Sequence, residues 1–469
     1  MVCLVAGNVR TQEGKSMKSC CFCRVQDGGL KTFDDVLTHL NGLGLFNMDM
    51  GLARMKGTLE KLGLTRFPCP AVQVVGTNGK GSTATFLQSL ALAHGFRAGL
   101  YTSPHFVSPT ERIRMLNRAL PEEAWPGLAN RALEAEPGLT YFELLTVMAA
   151  LAFYDAEPDL LIFEAGLGGR YDATSALPLD MTCFTPIGLD HMHVLGPDVA
   201  SIAADKADAL HEGMFCAVSA PQVPEAWQAL EKKAGTLKLP LFDTTAAHAG
   251  HELPSSLSPL LSLADTAPLG LYGPHQRINA KTALAAWLLI CDREGWKTDE
   301  KTIRKGLAEA FIPGRLQYVE AQGGYPAFLL DGAHNTHGMR ALSSAFMPDE
   351  SGKRRFVPSA VIFSCLADKA PEQLIPVLMD MLKGIAPDIP VYVPIIADNP
   401  RAARPEDLAR IIGSAAHPLP SLRDAVEQVK PFSGSGPVLI CGSLYLLAEF
   451  FTLFPHALHA RGGLPDAQS

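Results

Sequence analysis

No run in this sequence approaches the ~18 apolar residues of a membrane span. The first thirty residues, MVCLVAGNVRTQEGKSMKSCCFCRVQDGGL, lack the long apolar core of a secretion signal. A basic excess is also missing: 40 Lys and Arg against 48 Asp and Glu leave a net charge of -8. That balance argues against a general nucleic-acid binder. Negative substrates must then be held by local charge and backbone donors, not by a global field. Paired cysteine spacing is absent over most of the chain, so its ten cysteines fit a reducing compartment. The exception, Cys20, Cys21 and Cys23, could bind a metal, but no Cys/His pair stands nearby at zinc-ribbon spacing. No fixed-period repeat is visible. These absences predict a soluble, cytoplasmic protein with no nucleic-acid or membrane partner and an N-terminal extension, residues 1–30, outside the fold.

What the chain does have is 469 residues, 47% of them hydrophobic and 19% charged, enough for two or three globular domains. Its densest stretch is AVQVVGTNGKGST at 71–83: a short apolar run, a glycine-rich turn with one lysine, and a hydroxyl pair opening a helix. Gly76, Gly79 and Gly81 allow positive φ and close approach to an anion. Backbone N–H groups at the start of the following helix, about 82–94, would point at phosphates with the helix dipole behind them. Lys80 supplies a point charge for the outer phosphates, and Ser82 or Thr83 a hydroxyl near a metal ion. The loop is shorter than Gly-x-x-x-x-Gly-Lys-Ser/Thr, and Gly81 separates lysine from hydroxyl. That departure points to a particular class of ATP user.

Apolar periodicity over 33–64 predicts two helices with a loop near 43–50. Beyond the phosphate loop, strands are predicted near 97–102, 159–163, 181–187 and 214–219, with helices near 121–135, 141–156 and 199–211. This alternation argues for a doubly wound, mainly parallel sheet. Residues 240–272, rich in Ser, Pro, Ala and His, read as irregular structure or short antiparallel strands. Helices follow at 276–295 and 299–310, and Pro313-Gly314 is a natural hinge. Apolar runs at 327–330, 359–364, 389–394 and 437–441 predict a second, smaller α/β domain over 313–469, after a first domain over 31–312.

Polar residues gather where the predicted strands end, the edge at which such sheets bind ligands. Thr102-Ser103-Pro104-His105 follows one run, Glu164 to Thr174 a second, and Gly188 to Gly196 a third. In the second domain Asp331-Gly332-Ala333-His334-Asn335 follows 327–330. Singly, each reads as a turn, a cap or an ion pair. Together they place a hydroxyl, a carboxylate and an imidazole on the edge that carries the phosphate loop. That set suits Mg2+ held by few protein ligands plus nucleotide oxygens, although imidazole is an uncommon Mg2+ ligand and chemistry alone would not select His191.

In this order, GTNGKGST (76–83), TSPH (102–105), ERI (111–113), TYFE (140–143), EAGLGGRYDAT (164–174), LDHMHVLG (189–196), DKA (205–207), HQRINA (275–280), PGR (313–315), DGAHN (331–335) and GSLYL (442–446) resemble the folylpolyglutamate synthase and dihydrofolate synthase family of the Mur-ligase superfamily. The resemblance spans roughly residues 33 to 455. It implies an α/β fold: a Mur-ligase-like ATP-binding domain with a doubly wound, mainly parallel sheet and P-loop, followed by a smaller Rossmann-like C-terminal domain. It further implies that Gly79, Lys80, Gly81 and Ser82 hold the ATP phosphates and that Ser103, Glu164 and His191 are Mg2+ ligands. Lys206 matches a lysine carbamylated in the family. Asn279, Arg315 and Asp331 match nucleotide contacts, with His334 beside them. Lys80, Lys206 and His334 are the catalytic candidates. Thr140, Tyr171, Asp172 and Ala173 align with the pterin or folate region.

The implied reaction is ATP-driven amide formation with L-glutamate. The acceptor is dihydropteroate or a tetrahydrofolate polyglutamate, in a bifunctional, monomeric enzyme of bacterial type. A polyglutamate-only ligase, another Mur-type ligase and a nucleotide-binding switch without group transfer are the alternatives. Four positions depart from the family pattern. Asp205 and Asp208 flank Lys206 where glutamate and glycine are usual; Ala53 and Ala370 stand where aspartate is common.

Overall fold

A computed structural model describes residues 29–44, 51–348, 352–386 and 388–461. The Cys20/Cys21/Cys23 cluster and most of the predicted 43–50 loop lie outside these residues. Two sheets organise the rest. The first is built from β1 (Ala71–Val75), β2 (Ala98–Tyr101), β3 (Ile113–Met115), β4 (Arg118–Ala119), β5 (Leu160–Glu164), β6 (Met181–Phe184), β7 (Cys216–Ser219) and β8 (Leu241–Asp243), in the order β4-β3-β2-β5-β1-β6-β7-β8. Strands β2, β5, β1, β6, β7 and β8 run parallel, and β3 and β4 add an antiparallel edge. The second contains β9 (Arg315–Val319), β10 (Phe328–Asp331), β11 (Ala360–Phe363), β12 (Val391–Pro394), β13 (Ala416–Leu419) and β14 (Val438–Cys441), in the order β13-β12-β11-β14-β10-β9. Only β9 is antiparallel there. This is the doubly wound, mainly parallel architecture that the alternation of runs predicts.

Central strands such as AVQVV and LLIFE are buried at every position because helices cover both faces of the sheet. On one face Val75, Tyr101, Leu161 and Phe163 pack against the helix Tyr141–Ala156. On the other, Val72, Val74, Leu100 and Ile162 meet the phosphate-loop helix Lys80–Ala93 and the helix His275–Glu294. The Lys80–Ala93 helix is thus sandwiched, which explains why most of its residues are buried. Fully burying one such Phe or Leu stabilises the fold by about 1.5–3 kcal/mol, so the loop leads into a rigid element.

The 240–272 stretch differs from its reading. Leu241–Asp243 pairs parallel with β7, not antiparallel, and two short helices, Ser258–Leu261 and Leu263–Thr266, follow. Asp243 holds the turn after β8 by accepting from the Thr245 and Ala247 N–H groups. Among the described residues no helix is long and apolar enough to cross a membrane.

Candidate active site at the carboxyl edges of the two sheets

The loop between β1 and its helix folds back over its own lysine. Gly79 is the helix N-cap at φ 91°, and a side chain there would run into Asn279 Oδ1. A Cβ on Gly76 would likewise collide with Thr185 Oγ1. Both positions therefore require glycine, which lets the Thr185 and Asn279 side chains pack directly against the loop backbone. Lys80 Nζ donates to the Gly76 and Thr77 carbonyls, both at 3.2 Å, and Ser82 and Thr83 are buried in the first turn.

Lys206, on the helix Val199–Ala207, sends its Nζ to the same Gly76 carbonyl at 2.9 Å. Two ammonium groups thus converge on one oxygen. Burial first, and the Lys80 charge second, pull Lys206 down to about 7, so much of it is a neutral amine near neutral pH. The two unusual aspartates beside it do not touch its Nζ. Asp205 Oδ1 accepts from the Gly169 N–H at 2.9 Å, while Asp208 pairs with Arg170 and Lys233, each at 2.7 Å. Both lock the Lys206 helix to its neighbours.

Glu164 ends β5 inside the site. A Cβ on Gly81 would stand 3.3 Å from its Oε1, and its Oε2 accepts from the Ser103 N–H at 3.0 Å. Burial raises this carboxyl above its usual range against the pull of Lys80, the Ser103 N–H, Arg315 and Arg114. A buried carboxylate with one hydrogen bond and no ion pair in contact is a natural seat for a cation. His191 stands on the loop after β6 at φ 49°, its side chain 41% exposed and the rest covered. Burial first, then the Lys369, Lys80 and Lys206 charges, lower it to about 4 despite Asp190. The ring is therefore neutral at pH 7, the form that ligates metal. Glu164, with the Ser103 N–H on its Oε2, has the chemistry to seat a divalent ion at this edge, while His191 stands on the separate loop after β6.

The second sheet faces this edge with the end of β10. Asp331 is buried and accepts from the Leu316 and Ala333 N–H groups, both at 2.9 Å. Burial raises it, opposed by Arg315, whose charge also reaches Glu164. His334 Nδ1 lies 2.7 Å from the Gly332 carbonyl. A carbonyl only accepts, so that contact assigns the proton to Nδ1 and leaves Nε2 a lone pair. Asn279 donates to Gln276 Oε1 at 2.8 Å, beside Gly79.

The pterin candidates divide by exposure. Tyr171 is 43% exposed, so its ring is available to a ligand. Asp172 is buried, and its carboxylate accepts from the Gly166, Leu167 and Thr174 N–H groups and the Thr174 hydroxyl. It shapes the loop that carries Tyr171 and the buried Ala173. Gln73, in the middle of β1, fastens that loop by donating to Thr174 Oγ1 at 2.7 Å and Ser175 Oγ at 2.9 Å. The Thr140 N–H donates to Glu143 Oε2 at 2.8 Å, and Glu143 also holds Arg54.

Sequence reasoning missed the residues that join the two halves. Asp190 pairs with Lys369 Nζ at 3.3 Å and accepts from Asn335 Nδ2 at 3.0 Å; Asn335 also donates to Asn78 Oδ1 at 3.2 Å. Asn78 Nδ2 lies 3.0 Å from His337 Nδ1. Burial would raise Asp190, but His191, Lys369, His334 and Asn335 outweigh it and hold the carboxyl well below its usual range. The available signal was position: Asn78 lies in the phosphate loop, Asp190 just before His191 and Asn335 just after His334.

A phosphate loop on one sheet facing a buried carboxylate and imidazole on a second defines the architecture of a Mur-type ligase, and residues 314–444 match the family described as Mur ligase, glutamate ligase domain. The dihydrofolate synthase/folylpolyglutamate synthase of Bacillus subtilis (strain 168) is 32% identical over 441 residues, 89% of this chain and 98% of that protein. Its counterpart from Escherichia coli (strain K12) is 31% identical over 423 residues, 88% and 93% of the two chains. The chain belongs to the dihydrofolate synthase/folylpolyglutamate synthase family. Among solved structures, E. coli FolC in complex with DHPP and ADP superposes with a TM-score of 0.75 at 29% identity, covering 91% of this chain and 98% of that one. The Yersinia pestis bifunctional enzyme complexed with AMPPNP and Mn ion gives a TM-score of 0.75 at 28% identity, over 90% and 98%.

Proposed function

We propose that this protein is an ATP-dependent ligase that adds L-glutamate to dihydropteroate and extends tetrahydrofolate polyglutamates. One observation carries the reading: Lys80, Lys206 and the Glu164–Ser103 pair converge on the phosphate loop, opposite Arg315, Asp331 and His334 of the second sheet. The family membership and the ADP, AMPPNP, Mn and DHPP complexes of its structural relatives support it.

In this reading Gly79, Lys80, Gly81 and Ser82 hold the ATP phosphates, with Asn279, Arg315 and Asp331 on the nucleotide. Ser103, Glu164 and His191 hold Mg2+, which supplies charge neutralisation on the transferring phosphoryl group. A carboxylate oxygen of the acceptor forms the new P–O bond as the bond to ADP breaks. The amine of L-glutamate then attacks the acyl carbon, and phosphate leaves with that oxygen. The unprotonated Nε2 of His334 can accept a hydrogen bond from the incoming neutral amine; burial holds that ring at about 4, so it orients the amine and does not carry its proton. Lys206 as a carbamate turns a cation into an anion at the Gly76 carbonyl, able to help hold a second metal ion. Tyr171 and Thr140 border the pterin, with Asp172 and Ala173 shaping that wall. Residues 31–312 and 313–469 act as the two domains, hinged at Pro313-Gly314, and their closure keeps water from the acyl phosphate. The protein works as a cytoplasmic monomer without nucleic-acid or membrane partners.

The test is ADP release with L-glutamate and either dihydropteroate or a tetrahydrofolate as acceptor. Release with both is expected, and lost in Lys80→Ala. Release with tetrahydrofolate alone would reduce the activity to polyglutamate addition, and release with neither would overturn the ligase reading.

A further inference from the structure

Resting on that ligase reading, we infer that Arg114 is a carboxylate-binding residue of the site, reading a substrate group remote from the transferred phosphate. Arg114 lies on β3 opposite Leu100 of β2, which is itself opposite Ile162 of β5. Paired residues share a face and alternate along the strand, so Arg114 stands on the face where Thr102 and Glu164 come next. Its Nη2 donates to Thr102 Oγ1 at 3.3 Å, a long contact, while its Nε is buried without a partner among the described residues.

The nearest acids do not satisfy it. Glu111 and Glu164 influence its charge, but neither makes an ion pair with it. Glu111 is already committed, its two oxygens accepting from the Phe106, Val107 and Ser108 N–H groups. Glu164 is taken up by the Ser103 N–H and faces the loop lysine. Arg112, two residues earlier, is equally without a carboxylate in contact among the described residues. Its Nε donates to His105 Nδ1 at 2.8 Å, and its guanidinium lies over the Tyr141 ring at 5.6 Å. A guanidinium presents five donors in a planar fork, and leaving its buried Nε unpaired is costly. A planar, two-oxygen anion answers that fork.

The strand order identifies which anion. Three strand spacings separate β3 from β1, roughly 14 Å at ~4.8 Å each. Arg114 and Lys80 thus start three strands apart with Glu164 between their charges, which favours a group other than the phosphoryl held by Lys80 as the partner of Arg114. A substrate carboxylate remains, from one of two sources: the incoming L-glutamate, or the glutamyl tail of a folate acceptor.

The experiment measures steady-state ADP release by Arg114→Met and Arg114→Lys, varying ATP, L-glutamate, dihydropteroate and a glutamylated tetrahydrofolate in turn. The expected result is a KM raised about tenfold or more for one carboxylate substrate in Arg114→Met, equivalent to about 1.4 kcal/mol. The ATP KM stays within about twofold, the span expected for a remote site. A rise confined to L-glutamate assigns the incoming amino acid. A rise for glutamylated tetrahydrofolate but not for dihydropteroate, which has no glutamyl tail, assigns the tail. Charge without the fork should recover part of the loss in Arg114→Lys, which also carries the test if the methionine variant does not fold. Unchanged KM values for L-glutamate and the tail, or a parallel loss for every substrate including ATP, would overturn the inference. Wild-type protein without glutamate-dependent turnover would instead fault the ligase reading.

Discussion

Replacing Gly79 by alanine puts the most compact part of the site under a measurable load. The residue is at φ 91°, where a Cβ costs an L-residue about 1–2 kcal/mol. The added methyl also collides with Asn279 Oδ1, and moving that side chain breaks its hydrogen bond to Gln276 Oε1, worth about 0.5–1.5 kcal/mol. The combined load is about 1.5–3.5 kcal/mol. If the loop keeps its shape, the cost appears as lost folding stability. If the loop relaxes, the N–H groups leave the phosphate position and the cost appears as weaker nucleotide binding, up to roughly three hundredfold. Chemical denaturation and calorimetric titration with ADP, run on the same preparation, measure the two shares. Gly57→Ala is the control, because nothing lies within 4 Å of its Cβ in the helix Ala53–Lys61; it should stabilise by about 0.5–1 kcal/mol. Less than about 0.5 kcal/mol lost in both measurements on Gly79→Ala would refute the reasoning, since that is within ordinary surface-mutation scatter.

Acid should remove the stability that buried neutral histidines contribute to the apo protein. Burial holds His105 at about 3, and His275 and His334 at about 4, against an ordinary 6.5. Folded values below unfolded ones mean stability present above pH 6.5 and lost as pH falls toward 4. Each ring contributes at most about 2 kcal/mol by pH 5, and less where water reaches it. The raised carboxyls of Glu164 and Asp331 work the other way, so the check is a comparison: the change in midpoint from pH 7 to pH 5 should be less destabilising in His275→Gln than in wild type, and an unaltered change would contradict the buried neutral ring. Asp190→Asn should loosen the contact between the two halves, because Lys369 would lose its carboxylate partner, a loss of about 1.5–3 kcal/mol for a charged hydrogen bond. Small-angle scattering should then report a larger radius of gyration without nucleotide, and an unchanged curve would show that Asp190 does not hold the halves together.

The phosphate loop was legible because each residue type in AVQVVGTNGKGST has a separate physical task. The central strands were legible because burial on both faces leaves uninterrupted apolar runs. Strand β9 was not, since RLQYV alternates directly after Pro313-Gly314 and reads as the far side of a hinge. Strand β13 was not, since AHPL is short, carries a proline and has an exposed middle. β8 hides as three residues in a Ser- and Pro-rich stretch, and its neighbour is fixed by the sheet, not by its own composition. The polar contacts between the halves depend on pairs far apart in the chain, such as Asn78 with His337, 259 residues away. No local pattern encodes such a pairing. Asp172 shows the converse: its place in the motif was plain, but only the fold shows its carboxylate committed to backbone N–H groups.

The central claim is that a substrate carboxylate is phosphorylated before it meets the glutamate amine. Dihydropteroate labelled with heavy oxygen in its carboxylate tests this directly, with the released phosphate analysed by mass spectrometry after turnover with ATP and L-glutamate. One labelled oxygen per phosphate released is expected, carried across as the acyl oxygen leaves. Turnover with unlabelled phosphate would contradict it.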